Sequence, residues 1–279
     1  MKKLTLFGTA ALSASLVLAA CGSDDSEETS GSDGSEEAGS EFNLKEEGQL
    51  TFASSGLYKP FNYEEGGELK GFDVEIGKAI AEQMGLEPNP ITTPWETILQ
   101  GLTGERFDAI IGSMAITNER AEQVDFSDPY YYSGGMIFVA EGNEEITSAE
   151  DLEGKKIGVV AQSTYDEAAQ EYTEDIQYYN SDVVALNDLE IEGRLDAVIT
   201  ADVVGFEAMA AGLGIKDVGD PLWIEQAAIA VNKDNPELLE AINEALAEIQ
   251  EDGTYDDIST NLFDRNLLDV DLEGIEILE

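Results

Sequence analysis

The sequence predicts an α/β protein in which strands alternate with helices through βαβ crossovers. Three observations carry this. From Gln49 onward, short apolar runs of strand length alternate with stretches whose apolar residues recur at helical spacing. One local device occurs twice, as Arg106-Phe107-Asp108-Ala109-Ile110-Ile111 and as Arg194-Leu195-Asp196-Ala197-Val198-Ile199, and each copy reads as a buried parallel strand following a helix. A hydrophobic share of 42% supplies enough apolar surface for a packed core.

Taken in order, the chain opens with Lys2 and Lys3 and an apolar run from Leu4 to Ala20, interrupted by Thr5, Gly8, Thr9, Ser13 and Ser15. This is the layout of a secretory signal, and it is shorter than the roughly 20 apolar residues that a membrane span requires. It ends in Leu18-Ala19-Ala20-Cys21-Gly22, where Cys21 is the sole cysteine, and resembles a bacterial lipobox. Residues 1–20 are therefore expected to be a lipoprotein signal peptide, with Cys21 lipidated. Residues 21–47, dominated by Ser, Gly, Asp and Glu up to about Glu41, are expected to form a disordered acidic tether.

Leu50-Thr51-Phe52-Ala53 reads as the first strand, and Phe72, Ile76, Ala79, Ile80 and Met84 line one face of the helix that follows. Ile157 to Val160 and Ala227 to Val231 read as further strands. Asn235-Pro236 starts a helix with Leu238, Leu239, Ile242, Leu246 and Ile249 on its apolar face, and Asp252-Gly253 stops it. A second helix runs from about Tyr255 to Phe263, and the acidic tail from Leu267 to Glu279 shows weak alternation without an evident partner. Ligands of open α/β sheets sit beyond the carboxyl ends of strands, so the residues after Ile111 and Ile199 are expected to face one cleft.

The charge balance narrows the function. Sixty acidic residues against 14 basic ones give a net charge of -46, a field that repels nucleic acid and anionic lipid headgroups. The excess is spread along the whole chain, which reads as a solvated acidic surface suited to a salty or alkaline habitat. The chain has no histidine, which excludes a Ser-His-Asp triad, His-ligated zinc and imidazole acid–base chemistry. With Cys21 committed to lipid, no thiol is left for a disulfide, a metal or a nucleophile. Neither a metal nor a cofactor is expected, and only carboxylate-based catalysis stays open.

Gly71-Phe72-Asp73-Val74-Glu75-Ile76 opens a helix with two acids in its first turn, where the helix dipole favours negative charge. Together with Trp95, Gly101-Leu102, Met114-Ala115-Ile116-Thr117-Asn118-Glu119-Arg120, Phe126-Ser127-Asp128-Pro129-Tyr130, Asp151-Leu152-Glu153-Gly154-Lys155-Lys156-Ile157-Gly158-Val159 and Asp252-Gly253-Thr254-Tyr255, it resembles the family 3 solute-binding proteins, the polar amino-acid receptors of ABC importers. The resemblance runs from Gln49 to Phe263. It implies a two-lobed periplasmic-binding-protein-like fold of type II, each lobe a mixed, mostly parallel sheet flanked by helices, with the cleft at the hinge. Lobe one is expected at residues 48–140 and 226–267 and lobe two at 141–225, with hinge crossings near Ala140 and Glu225 and an acidic tail at 268–279. The implied molecule is a monomer held to the outer face of the cytoplasmic membrane by its lipid. It binds a small amino acid or related solute and delivers it to an importer permease.

The resemblance also implies a site. Arg120 stands where the family grips the ligand's α-carboxylate, which a guanidinium does with two parallel charge-assisted hydrogen bonds; the alternative is a surface arginine paired with Glu119 or Glu122. Ser163 and Thr164 follow a strand and start a helix, so their hydroxyls and free N–H groups offer an anion site or a simple N-cap. In the family a threonine here closes on the same carboxylate, and Gln162 stands where a glycine is usual. Tyr58 and Trp95 fall where the family places walls over the ligand, and Ser113 and Ala115 where backbone groups meet it. The family's aspartate for the ligand ammonium falls at Ala201, so either the neighbouring Asp202 takes that role or the ligand has no free α-ammonium. Ser54-Ser55-Gly56 lacks the acid that receptors for Lys, Arg or His often carry there, which disfavours a strongly cationic distal group. Two other functions compete: an exported dehydratase of prephenate-like acids on the same fold, and a sensory lipoprotein.

Overall fold

The computed structural model describes residues 43–270, 272 and 276–278. The expected signal, Cys21 and most of the tether lie outside the described residues. The first part of the chain runs β1 (Gln49–Ser54), a small antiparallel meander β2 (Leu57–Tyr58), β3 (Asn62–Glu65) and β4 (Glu68–Lys70), then α1 (Phe72–Gln83), β5 (Glu87–Thr92), α2 (Trp95–Thr103), β6 (Ala109–Ala115) and the short α3 (Asn118–Ala121). A long strand β7 (Asp125–Ala140) follows. Next come β8 (Ile157–Val160), α4 (Thr164–Tyr172), β9 (Ile176–Tyr179), α5 (Asp182–Asp188), β10 (Ala197–Ala201) and α6 (Asp202–Ala210). A second long strand, β11 (Ile215–Val231), leads to α7 (Pro236–Glu251) and α8 (Thr254–Phe263).

The large sheet has the order β5-β1-β6-β11-β7-β10-β8-β9. Its outer strands pair in parallel on both sides, β5-β1-β6 and β10-β8-β9, while β11 and β7 are antiparallel to each other and to their outer neighbours. The two halves thus repeat one pattern, and β7 and β11 are long enough to belong to both. The duplicated sequence device explains the symmetry. Asp108 accepts the Thr51 N–H at 2.8 Å and Asp196 accepts the Lys156 N–H at 2.8 Å, so each aspartate pins the start of the neighbouring parallel strand before its own strand begins. The regular strands start three residues into each motif, at Ala109 and Ala197.

The change of partners along β7 and β11 marks where one half gives way to the other. Residues Gly135 to Phe138 of β7 pair with β10, whereas Ala227 to Val231 of β11 pair with β6. Between these stretches, Tyr132 to Gly134 pair only with Ile224 to Gln226. Glu225 lies within this stretch, whereas Ala140 is the last residue of β7, paired with Ile215 deep in the second half. The strand end visible in the sequence and the crossing are separate because β7 runs through the crossing without a break.

The core follows from the same strands. Leu50, Phe52, Ile76, Ile80 and Ile111 pack with Leu238, Ile242 and Leu246 of α7, and Ile157, Val198, Ile199 and Leu186 fill the second half. The closing helices therefore return to the first half. The tail, unplaced from sequence, has a partner: Ile224 donates its N–H to the Glu276 carbonyl at 2.7 Å and accepts from Leu278 N–H at 2.9 Å, on the edge of β11 turned away from β7. Among the described residues no helix is long and apolar enough to cross a membrane.

Candidate functional site: a closed cleft between two half-sheets

At the junction of the halves a cavity of about 50 Å³ is lined by Tyr58, Trp95, Ser113, Ala115 and Arg120 from one side and by Ser163, Thr164, Tyr165 and Asp182 from the other, with Glu225 of the crossing strand between them. Arg120 is delivered by the turn after β6. The Thr117 hydroxyl caps α3 by accepting the Arg120 N–H at 3.2 Å, and the guanidinium folds back to donate to the Ala115 carbonyl at 2.9 Å and lies 5.4 Å from the Trp95 ring. It joins none of the ion pairs among the described residues, with Glu119 and Glu122 included. Burial lowers its pKa from the usual guanidinium value, and Glu225 opposes that shift; an arginine stays cationic in either case. A cation held on carbonyls and one ring, without an anion, is an open half of an ion pair.

Ser113 shows how the first wall is held. Its φ is +60°, a left-handed conformation that non-glycine residues adopt at a cost of about 1 kcal/mol or more. The strain is overcome from beneath: the Ser113 hydroxyl donates to Asp73 at 2.8 Å, its N–H donates to the Tyr130 hydroxyl at 2.9 Å, and that hydroxyl donates to Asp73 at 2.6 Å. Asn62 adds a third donor to Asp73 at 2.6 Å. Asp73 is fully buried, which pushes its pKa up to about 6 against the pull of these donors. The acid read as a favourable helix start is thus the anchor of the site's floor. Gly71, which precedes it, has φ +117°, and a Cβ there would meet the Phe61 carbonyl oxygen at 2.3 Å, so only glycine lets the helix begin this close.

On the opposite side, Ser163 caps α4: its hydroxyl accepts from Asp166 N–H at 3.2 Å and donates to the Val160 carbonyl at 2.7 Å. Among the described residues the N–H groups of Thr164 and Tyr165 have no acceptor, so they are free to meet an anion at the helix N-terminus. The Thr164 hydroxyl is not free, because it donates to Glu225. Gln162 adopts φ +61°, the conformation for which the family's glycine is suited. Its carbonyl accepts from Trp95 Nε1 at 3.3 Å and from Arg120 Nη2 at 3.5 Å, and the Ser181 hydroxyl reaches the Leu57 carbonyl at 2.9 Å. With Tyr58 and Tyr165 hydroxyls 3.5 Å apart, these contacts hold the cleft shut.

Of the residues expected from sequence, Tyr58, Trp95, Ser113, Ala115, Arg120, Ser163 and Thr164 all line the cavity. Asp202 does not. It starts α6 but turns back on its own helix, where Oδ1 accepts the Val203 N–H at 2.7 Å, and its other oxygen faces Gly134. The Ser113 N–H and the Ala115 carbonyl, both expected to meet ligand, are already used by Tyr130 and Arg120.

Sequence reasoning missed two acids. Glu225 is buried and accepts from Thr164, from Tyr165 at 2.8 Å and from Trp223 Nε1 at 3.2 Å; burial raises its pKa. Asp182, in the first turn of α5, is 5% exposed and accepts the Thr200 hydroxyl at 2.7 Å, and burial pushes its pKa up to about 6. The one available signal was position: Glu225 stood at the expected hinge crossing. Asp182 had none, since an acid after a serine at a helix start reads as capping.

Two half-sheets joined by two long strands, closed over a cavity that offers a guanidinium and helix N–H groups to an anion and a buried carboxylate to a cation, define a binding protein for small polar solutes. The comparisons agree. The chain belongs to the bacterial extracellular solute-binding proteins, family 3, whose model matches residues 50–265. It is 34% identical over 231 residues to the L-cystine-binding protein of Escherichia coli K12, covering 79% of this chain and 84% of that one. It is also 34% identical over 236 residues to an arginine-binding extracellular protein of Bacillus subtilis, covering 82% and 91%. Among solved structures it is similar to an ancestral arginine-binding protein bound to glutamine, with a TM-score of 0.72 at 37% identity, over 78% of this chain and 99% of that one.

Proposed function

We propose that this chain captures a small amino acid or amino-acid-like carboxylate outside the cytoplasmic membrane and delivers it to the permease of an ABC importer. The observation that carries the reading is Arg120, a cation without an anion, facing the free N–H groups of Thr164 and Tyr165 across a closed cleft. A ligand carboxylate completes both partial sites at once. Because Arg120 belongs to one half and the helix α4 to the other, only the closed form makes both sets of contacts, and the ligand's differential affinity drives closure. Lobe one then comprises the chain up to about Tyr132 and from about Gln226 through α8, with lobe two between.

In this reading Cys21 carries the lipid, residues 21–47 span from membrane to lobe one, and the protein works as a monomer on the outer face of the cytoplasmic membrane. The acidic surface is an adaptation to salt: the thermal midpoint is expected to rise between low and molar salt, and a flat response would remove that part of the reading.

The experiment for the function is a thermal-shift screen of the twenty L-amino acids and L-cystine, followed by small-angle scattering with the tightest. A stabilised, more compact protein is the expected result; no shift with any of them would sink the reading. The competing dehydratase has one feature in its favour, the protonatable Asp182 on the cavity wall. Incubation with prephenate and arogenate is expected to give no aromatic product.

A further inference from the structure

We infer that Asp182, at the first turn of α5, is the seat for the ligand's α-ammonium, replacing the acid that is missing at Ala201. The inference rests on the reading above, in which the ligand is an α-amino acid. Three facts single this residue out. First, a closed cavity that holds the carboxylate on Arg120 and the α4 N-terminus must take the adjoining ammonium on an acceptor of its own wall, because a buried ammonium without an anion is strongly disfavoured. Asp182 and Glu225 are the two acids on that wall.

Second, the two acids differ in free capacity. Glu225 has both oxygens occupied, Oε1 by Thr164 and Trp223 and Oε2 by Tyr165. Asp182 accepts the Thr200 hydroxyl on Oδ1 at 2.7 Å and its own backbone N–H, and among the described residues no other side-chain or backbone donor bonds to the carboxylate. Glu225 is a structural tie between the crossing strand and α4, whereas Asp182 lines the cavity with acceptor capacity that the fold leaves unfilled.

Third, the Thr200 bond places Asp182 at the carboxyl end of β10, beside Ala201. The carboxylate therefore arrives at the end of the same strand from a different element. Ala201 is fully buried and does not line the cavity, so the end of β10 offers no acidic acceptor of its own there. The side chain makes no ion pair among the described residues, and a neutral hydroxyl with the residue's own N–H does not offset a buried charge. An ammonium would.

The test is a two-by-two calorimetric comparison. Wild type is titrated with the amino acid that ranks tightest in the screen, and with the carboxylic acid in which hydrogen replaces its α-amine; Asp182→Asn is titrated with both. Wild type is expected to lose about a hundredfold in affinity when the amine is removed, and the variant to show a gap of less than about tenfold. Asp182→Ser, which keeps a polar group at the helix start, serves if the asparagine variant melts early. An equal gap in variant and wild type overturns the inference, as does a wild type indifferent to the amine; in the first case Asp182 serves a distal group or none. Failure of wild type to bind any amino acid instead removes the parent reading, so the two failures are distinct.

Discussion

Arg120 lies over the Trp95 ring at 5.4 Å, and both side chains donate to the carbonyl of Gln162 across the cleft. The proposed anchor of the ligand is therefore also part of the latch, since the same two residues that wall the cavity hold its halves together.

Arg120→Lys is expected to weaken binding of a carboxylate ligand by about a hundredfold, because a point charge cannot keep the Ala115 carbonyl, the Trp95 face and a bidentate carboxylate at once. The thermal midpoint of the free protein should change by only a few degrees, since the guanidinium makes no ion pair in the fold. Calorimetry showing unchanged affinity would take Arg120 out of the site.

Trp95→Phe removes the Nε1 donor to Gln162 and weakens the stacking on Arg120, two contacts each of about 0.5–1.5 kcal/mol. A five- to thirtyfold loss of affinity is expected, appearing mostly as faster dissociation because the Gln162 contact exists only when the cleft is shut. Stopped-flow kinetics separates the two rates; a change confined to association would mean that the contact forms before closure.

Gln162→Gly tests whether the glutamine contributes more than its backbone. Its φ of +61° carries a strain of roughly 1 kcal/mol that glycine relieves, while the carbonyl that receives Trp95 and Arg120 is retained. Stability should be unchanged or raised by up to about 1 kcal/mol, with affinity within twofold. A loss of stability in chemical denaturation would assign a role to the side chain itself.

Two opposite pH responses follow from Asp182. Its pKa is raised in the fold from 3.8 to about 6, so its contribution to stability is fully present below the unfolded value and is lost as pH rises through 6, on the order of 3 kcal/mol. Glu225 and Tyr58 face it, and protonating Glu225 acts in the same direction. The ligand-free protein should therefore melt higher at pH 5 than at pH 7.5, and the rise should be smaller in Asp182→Asn. Amino-acid affinity, which uses the ionised form, should instead fall as pH drops below about 6. Identical melting slopes in wild type and variant would show that Asp182 is not the group titrating.

The residues that announce themselves in this chain are those whose role is local. Alternating strand and helix patterns, the twin Asp-Ala strands, the Gly71 helix start and the Thr117–Arg120 turn depend on spacing within a few residues, and spacing is what a sequence displays. Arg120, Trp95 and Thr164 were legible because their segments resemble the family's motifs, and Thr164 also because it starts a helix directly after a strand. The tertiary structure decided the rest. Asp73 became the floor of the site only when Asn62, Ser113 and Tyr130 converged on it from three other segments. Asp202, adjacent to the expected position, turned away because a helix N-terminus offers a carboxylate its own N–H groups, and Asp182 came to the end of β10 through Thr200, 18 residues later. A buried acid is defined by which donors reach it and which do not, and that depends on how distant segments pack, which no local pattern records.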